Sequence, residues 1–167
     1  SLDPDVSKLI EDTRPSWKDS FVRDEKGRLK IYTYYRGGKA IEQPPVCVFP
    51  EVGNARYAHW MDHIKLCIEE LDMDGVYCDE FALGQNGSRR TYGGEWDGLS
   101  AEVDFHTGKM YAPYKDCSRA GAQARVNAMN YVHGQGKIFV ANRHSTTLAE
   151  QSIPAFRFTE TGSTLAP

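Results

Sequence analysis

Three apolar runs in this chain end in side chains that can do chemistry. Residues 75–81 read GVYCDEF, so Val76, Tyr77 and Cys78 lead into Asp79 and Glu80. Residues 137–141 (KIFVA) lead into Asn142, Arg143 and His144, and residues 155–159 (AFRFT) lead into Glu160. Carboxylates brought to a shared cleft suit acetal hydrolysis. One protonates the leaving oxygen while the other attacks the anomeric carbon or activates water. A separation of about 5–5.5 Å gives retention and about 6.5–9.5 Å gives inversion. Side chains alternate along a strand, so Tyr77 shares a face with Asp79, Cys78 with Glu80, and Phe156 and Phe158 with Glu160. Asp79 is expected to face the cleft, with Glu80 turned into the following loop to bind substrate or hold a partner. His144 follows a strand end, a place from which a side chain can line the cleft.

The elements that must position these groups read as βα units. Tyr57, Trp60, Met61, Ile64, Cys67, Ile68 and Leu71 recur at helical spacing, with Asn54 as N-cap and Asp74-Gly75 as the stop. A second helix is expected over 118–133, closed by Gly134 and Gly136. Strands are expected at 46–49, 75–81, 137–141 and 155–159, and a short helix at 148–151. Residues 21–23 and 28–35 flank a hairpin turn, and a small hairpin is expected around His106-Thr107-Gly108. Residues 1–20 read as a loop with one helical turn. The polar stretch 82–116 is the long loop that follows the Asp79 strand, and loops of that length inside a domain are usually functional. Alternating strands and helices imply a parallel sheet, whose ligands sit beyond the carboxyl ends of the strands. The pattern alone leaves barrel and doubly wound sheet both open.

Composition narrows the function classes. Net charge is −3 across 167 residues, which gives no footprint for nucleic acid. No apolar run approaches the roughly 20 residues of a membrane helix. Cys47, Cys67, Cys78 and Cys117 follow no zinc or redox spacing; free thiols are expected, with a disulfide involving Cys47 or Cys117 as the alternative. Asp97, Glu102, Asp104 and His106 could ligate a metal, but their spacing fits no calcium loop, and neither metal nor cofactor is expected. His63 is expected on the solvated face of its helix.

The GVYCDEF run after an amphipathic helix resembles the "DGIYxDE" strand of glycoside-hydrolase-like (β/α)8 barrels, in particular an uncharacterised bacterial group. The likeness continues through Trp96-Asp97-Gly98-Leu99-Ser100, the acidic hairpin 102–108, Val140-Ala141-Asn142 and PAFRFTETG at 154–162. It implies a partial (β/α)8 TIM-type barrel with parallel strands, in which GVYCDEF is the fourth strand and the long loop follows it. By analogy with alpha-galactosidase-like and alpha-glucosidase-like barrels, it implies Asp79 as nucleophile and Glu160 as acid/base. Asn142, Trp96, Asp97 and Arg143 would then be substrate contacts, with Tyr77 and His144 beside them. A whole barrel takes about 250 residues. Residues 1–167 are therefore expected to be one domain, a portion of a larger barrel completed by a longer chain or another subunit.

The expected function is cleavage of glycosidic bonds in an oligo- or polysaccharide. A non-catalytic carbohydrate-binding or structural protein on the same scaffold is the alternative. A carbohydrate partner is expected, and because a polysaccharide degrader usually works outside the cytoplasm, an extracellular or cell-surface location; no nucleic acid or membrane partner is expected.

Overall fold

A computed structural model describes residues 1–32, 35–36, 39–40, 46–79, 81, 89–143 and 145–158. Helix α1 (Pro4–Thr13) starts at Asp3, whose carboxylate accepts the Asp5 N–H at 2.9 Å, and Pro4 presets the first turn. A 3-10 turn (Pro15–Ser20) follows. Backbone bridges then join Phe21 to Val48, Arg23 to Leu29 and Ile31 to Val46, all antiparallel. Strands β1 (Tyr35–Arg36) and β2 (Lys39–Ala40) form a short antiparallel pair.

Helix α2 (Ala55–Lys65) begins where the Asn54 carboxamide accepts the Tyr57 N–H at 2.9 Å and donates to the Phe49 carbonyl at 3.0 Å. It runs into a π turn (Leu66–Glu70). Next come β3 (Gly75–Cys78), β4 (Arg90–Thr91), β5 (Ala101–Val103), β6 (Met110–Pro113) and β7 (Lys115–Asp116). They are followed by α3 (Cys117–Ala120), α4 (Ala122–Gly134), β8 (Ile138–Asn142), α5 (Leu148–Gln151) and β9 (Phe156–Phe158).

Strands β3, β8 and β9 form a parallel three-stranded sheet in the order β3-β8-β9, while β4 pairs β7 and β5 pairs β6, both antiparallel. The expected partial barrel is therefore overturned: the described parallel strands form a small open sheet within a mixed α/β fold. The physical reason lies in residues 46–49. Their position before α2 suits the preceding strand of a βα unit, yet Val46 and Val48 take their bridges from Ile31 and Phe21 in the antiparallel N-terminal segment. Apolar alternation specifies a strand, not its partner.

One face of the parallel sheet packs on α2 and α4. Ile64, Ile68, Phe81, Ala128, Met129, Val132, Phe139 and Ala141 are buried together, with Val76 and Cys78 against them. A second cluster gathers Val22, Phe49 and Cys117 beneath the N-terminal segment. Gly75 is demanded by strand approach: a Cβ there would lie 2.1 Å from the Ile138 carbonyl oxygen. Arg125 and Glu150, each 1% exposed or less, form a buried ion pair that ties α4 to α5. Glu150 also accepts the Thr146 and Thr147 N–H groups at 2.8 and 2.9 Å, which closes the capping box at the start of α5. No helix among the described residues is long and apolar enough to cross a membrane.

Candidate functional site

The carboxyl ends of β3 and β8 bring Asp79 and Asn142 together. Asn142 is buried, and its amide donates to Asp79 Oδ1 at 2.7 Å. The Asn142 carbonyl accepts the Phe81 N–H at 3.1 Å, so the same residue pins the chain on both sides of Glu80. Phe81 is in turn locked edge-on against Phe139 at 5.7 Å, with the guanidinium groups of Arg125 and Arg157 at 5.6 and 5.2 Å from its ring. Asp79 is thus an exposed carboxylate on a backbone held by a buried aromatic anchor.

Register defines the face that Asp79 shares. Tyr77 pairs with Val140, Val140 with Phe156, and Asn142 with Phe158, whereas Phe139 and Ala141 point into the core. Tyr77, Phe156 and Phe158 are 55%, 66% and 49% exposed. The Tyr77 and Phe158 rings meet edge to face at 6.3 Å. The result is a solvent-facing aromatic surface with a carboxylate at its carboxyl rim. A parallel sheet is ordinarily covered on both faces, so this exposure sets it apart. Strand alternation was enough to place Phe158 on this surface; the sequence reading put it on the Glu160 face without giving it a role.

Arg143 follows β8 with φ 92°, left-handed backbone for a residue that bears a Cβ. Such conformations cost on the order of 1–3 kcal/mol and gather at functional sites. Its N–H donates to the Phe158 carbonyl at 2.8 Å, extending the β8–β9 pairing to the strand end. Glu80, His144 and Glu160 lie outside the described residues.

Trp96 and Asp97 serve their own loop. Trp96 Nε1 donates to the Ser100 carbonyl at 2.7 Å. Asp97 accepts the N–H groups of Leu99 at 2.9 Å, Ser100 at 2.7 Å and Asp116 at 3.0 Å, and the Ser100 hydroxyl at 2.7 Å. Burial works against its charge, but these donors prevail and bring Asp97 down to about 2. In the acidic hairpin, Glu102 is paired with Arg90 and accepts the Tyr92 hydroxyl at 3.0 Å. Asp104 accepts the His106 and Thr107 N–H groups. Among the described residues no group of three His, Cys, Asp or Glu side chains is placed to hold a metal. All four cysteines are free thiols; burial pushes Cys78 and Cys117 up to about 12, so neither is a thiolate at neutral pH.

A cavity of about 570 Å³ lies elsewhere, lined by Lys18, Arg23, Glu51, Asn54, Glu95 and Lys115 among others. No residue of β3, β8 or β9 lines it. Arg23 there pairs with Glu11, and Lys115 with Glu51 at 2.8 Å.

No protein-family model, curated protein or solved structure matches this chain.

Proposed function

We propose that the Asp79 rim and the aromatic surface beside it act on carbohydrate, and that the chain is a glycoside hydrolase-like protein in which Asp79 serves acetal cleavage. The observation that carries the reading is a fixed carboxylate, held by Asn142 at 2.7 Å, next to the solvent-facing pair Tyr77 and Phe158. Pyranose rings present C–H faces that pack on aromatic rings, and their hydroxyls donate to carboxylates and accept from amides. Glu160 is proposed as the acid/base partner and Glu80 as a further carboxylate of the site, with Arg143 and His144 as substrate contacts. Trp96 and Asp97 stand farther down in this proposal, since both already stabilise a loop. A polysaccharide substrate would place the protein outside the cell or at its surface.

A non-catalytic carbohydrate-binding surface is the second reading, favoured by the openness of the face on which Tyr77 and Phe158 lie. One experiment separates the two. The chain and its Asp79→Asn variant are incubated with a panel of plant and bacterial polysaccharides; binding is read by affinity electrophoresis and cleavage by reducing-end release. Hydrolysis predicts cleavage that falls by roughly 100-fold or more in Asp79→Asn while binding persists. Binding alone predicts retention on the polysaccharide with no release, weakened in Tyr77→Ala and Phe158→Ala. Neither retention nor release would reject both.

A further inference from the structure

Helix α2 carries a second constellation that the sheet-edge site does not use. His59 and His63 are four residues apart, so they project from one face of the helix. Their ring centroids lie 4.1 Å apart at 54°, and both side chains are exposed. Trp17, from the 3-10 turn, meets His59 edge-on at 5.5 Å and seats that ring against the helix. We propose that His59 and His63 form a two-imidazole chelate for a divalent late transition-metal cation.

The chemistry follows from the spacing. Neutral imidazoles at i and i+4 on one helix face are a recurrent pair of zinc ligands, and imidazole equally suits nickel and copper. Metal–nitrogen bonds near 2 Å require two ring nitrogens to converge on a point between the side chains, which rings already in contact reach by modest rotation. Because no third His, Cys, Asp or Glu converges there among the described residues, water fills the remaining positions. Affinity is accordingly on the order of micromolar rather than that of a closed four-ligand site. Binding joins two points one turn apart and so favours the helical state of α2, whose Ile64 and Ile68 belong to the main core.

The test uses the full chain freed of any polyhistidine tag, with Ni²⁺ as probe so that the free thiols are not oxidised. Calorimetry at pH 7.5 should show one Ni²⁺ per chain, weakened at least roughly tenfold in both His59→Ala and His63→Ala. Ni²⁺ should quench the chain's tryptophan emission, since Trp17 meets His59 and Trp60 lies on the same helix, and Trp17→Phe should remove part of the quenching while calorimetric affinity stays. Circular dichroism of each variant checks that the helix is intact, and His106→Ala is the control that should bind as the parent does. Binding unchanged in both helix variants, binding lost in His106→Ala, or no binding at millimolar Ni²⁺ would each overturn the assignment.

Discussion

Replacing Glu150 by Gln keeps the side chain's shape and removes its charge, leaving Arg125 buried at 1% exposure without its counter-ion. Arg125 also donates to the Ser118 carbonyl and to the Thr146 hydroxyl, and its guanidinium lies over Phe81. Those contacts survive the substitution, but the single Gln oxygen cannot accept from both Arg125 and the Thr146 and Thr147 N–H groups, so the loss combines the charge with part of the α5 cap. Breaking one side of a buried pair costs about 3–5 kcal/mol. For a chain of this size that is a fall in Tm of roughly 6–20 °C, at about 2–4 °C per kcal/mol. Urea unfolding followed by tryptophan fluorescence should show a lower midpoint with an unchanged slope. The paired variant Arg125→Met with Glu150→Leu should recover part of the loss, because apolar side chains of similar volume can replace a buried pair but leave the Thr146 and Thr147 N–H groups without their acceptor. A Tm within about 2 °C of the parent for Glu150→Gln would refute the reasoning, since so small a change is less than about 1 kcal/mol.

Other outcomes follow from the same contacts. Gly75→Ala would put a Cβ 2.1 Å from the Ile138 carbonyl oxygen and force β3 from β8; a loss of roughly 1–3 kcal/mol is expected, read by thermal melting, and an unchanged Tm would contradict it. Acid should unfold the chain in a defined window. Burial opposes the charge of Asp24, but Arg28 and backbone N–H donors bring it down to about 2, and Asp97 is likewise at about 2, against an ordinary 3.8. Both folded values are depressed, so their stabilisation is fully present above about pH 3.8 and is lost as the pH falls toward 2. In Asp97→Asn the acid limb of a stability–pH curve should shrink, and an identical limb would argue against it. Asn142→Ala should lower any turnover by releasing the Asp79 carboxylate, with substrate affinity less affected; equal losses in both would point to a general collapse of the strand end.

Much of the positioning framework was legible in the residues. Helical periodicity and the Asn54 cap locate α2, and the apolar runs 75–81, 137–141 and 155–159 locate the parallel strands, which end at Cys78, Asn142 and Phe158. The partnering of those strands was not legible, because the same alternation serves parallel and antiparallel neighbours; residues 46–49 pair with the N-terminal segment instead of extending the sheet. Helix α1, expected as a single turn, runs over Pro4–Thr13. Val6, Leu9 and Ile10 lie at helical spacing and announce one turn, but the polar residues on either side carry no further apolar repeat; the Asp3-Pro4 start was the signal for the full length. The π turn explains Leu71, which continues the apolar repeat on paper but is 56% exposed. Its N–H bonds to the Leu66 carbonyl, one residue farther back than in an α-helix, and the extra residue rotates it off the core face. The single continuous helix expected over 118–133 is instead divided at Gly121, where a Cβ would lie 2.7 Å from the Pro50 carbonyl oxygen. At the site, Asp79 was readable as a strand-end acid, whereas its hold on Asn142 needed the β3–β8 register.

The most direct measurement is a titration of the isotope-labelled chain with an oligosaccharide drawn from a polysaccharide it retains, read by amide chemical shifts. Saturable shifts should cluster at Tyr77, Asp79, Asn142, Arg143 and Phe158. Shifts gathered instead around Lys18, Arg23 and Lys115, or no shifts at millimolar sugar, would contradict a carbohydrate site at the carboxyl edge of the parallel sheet.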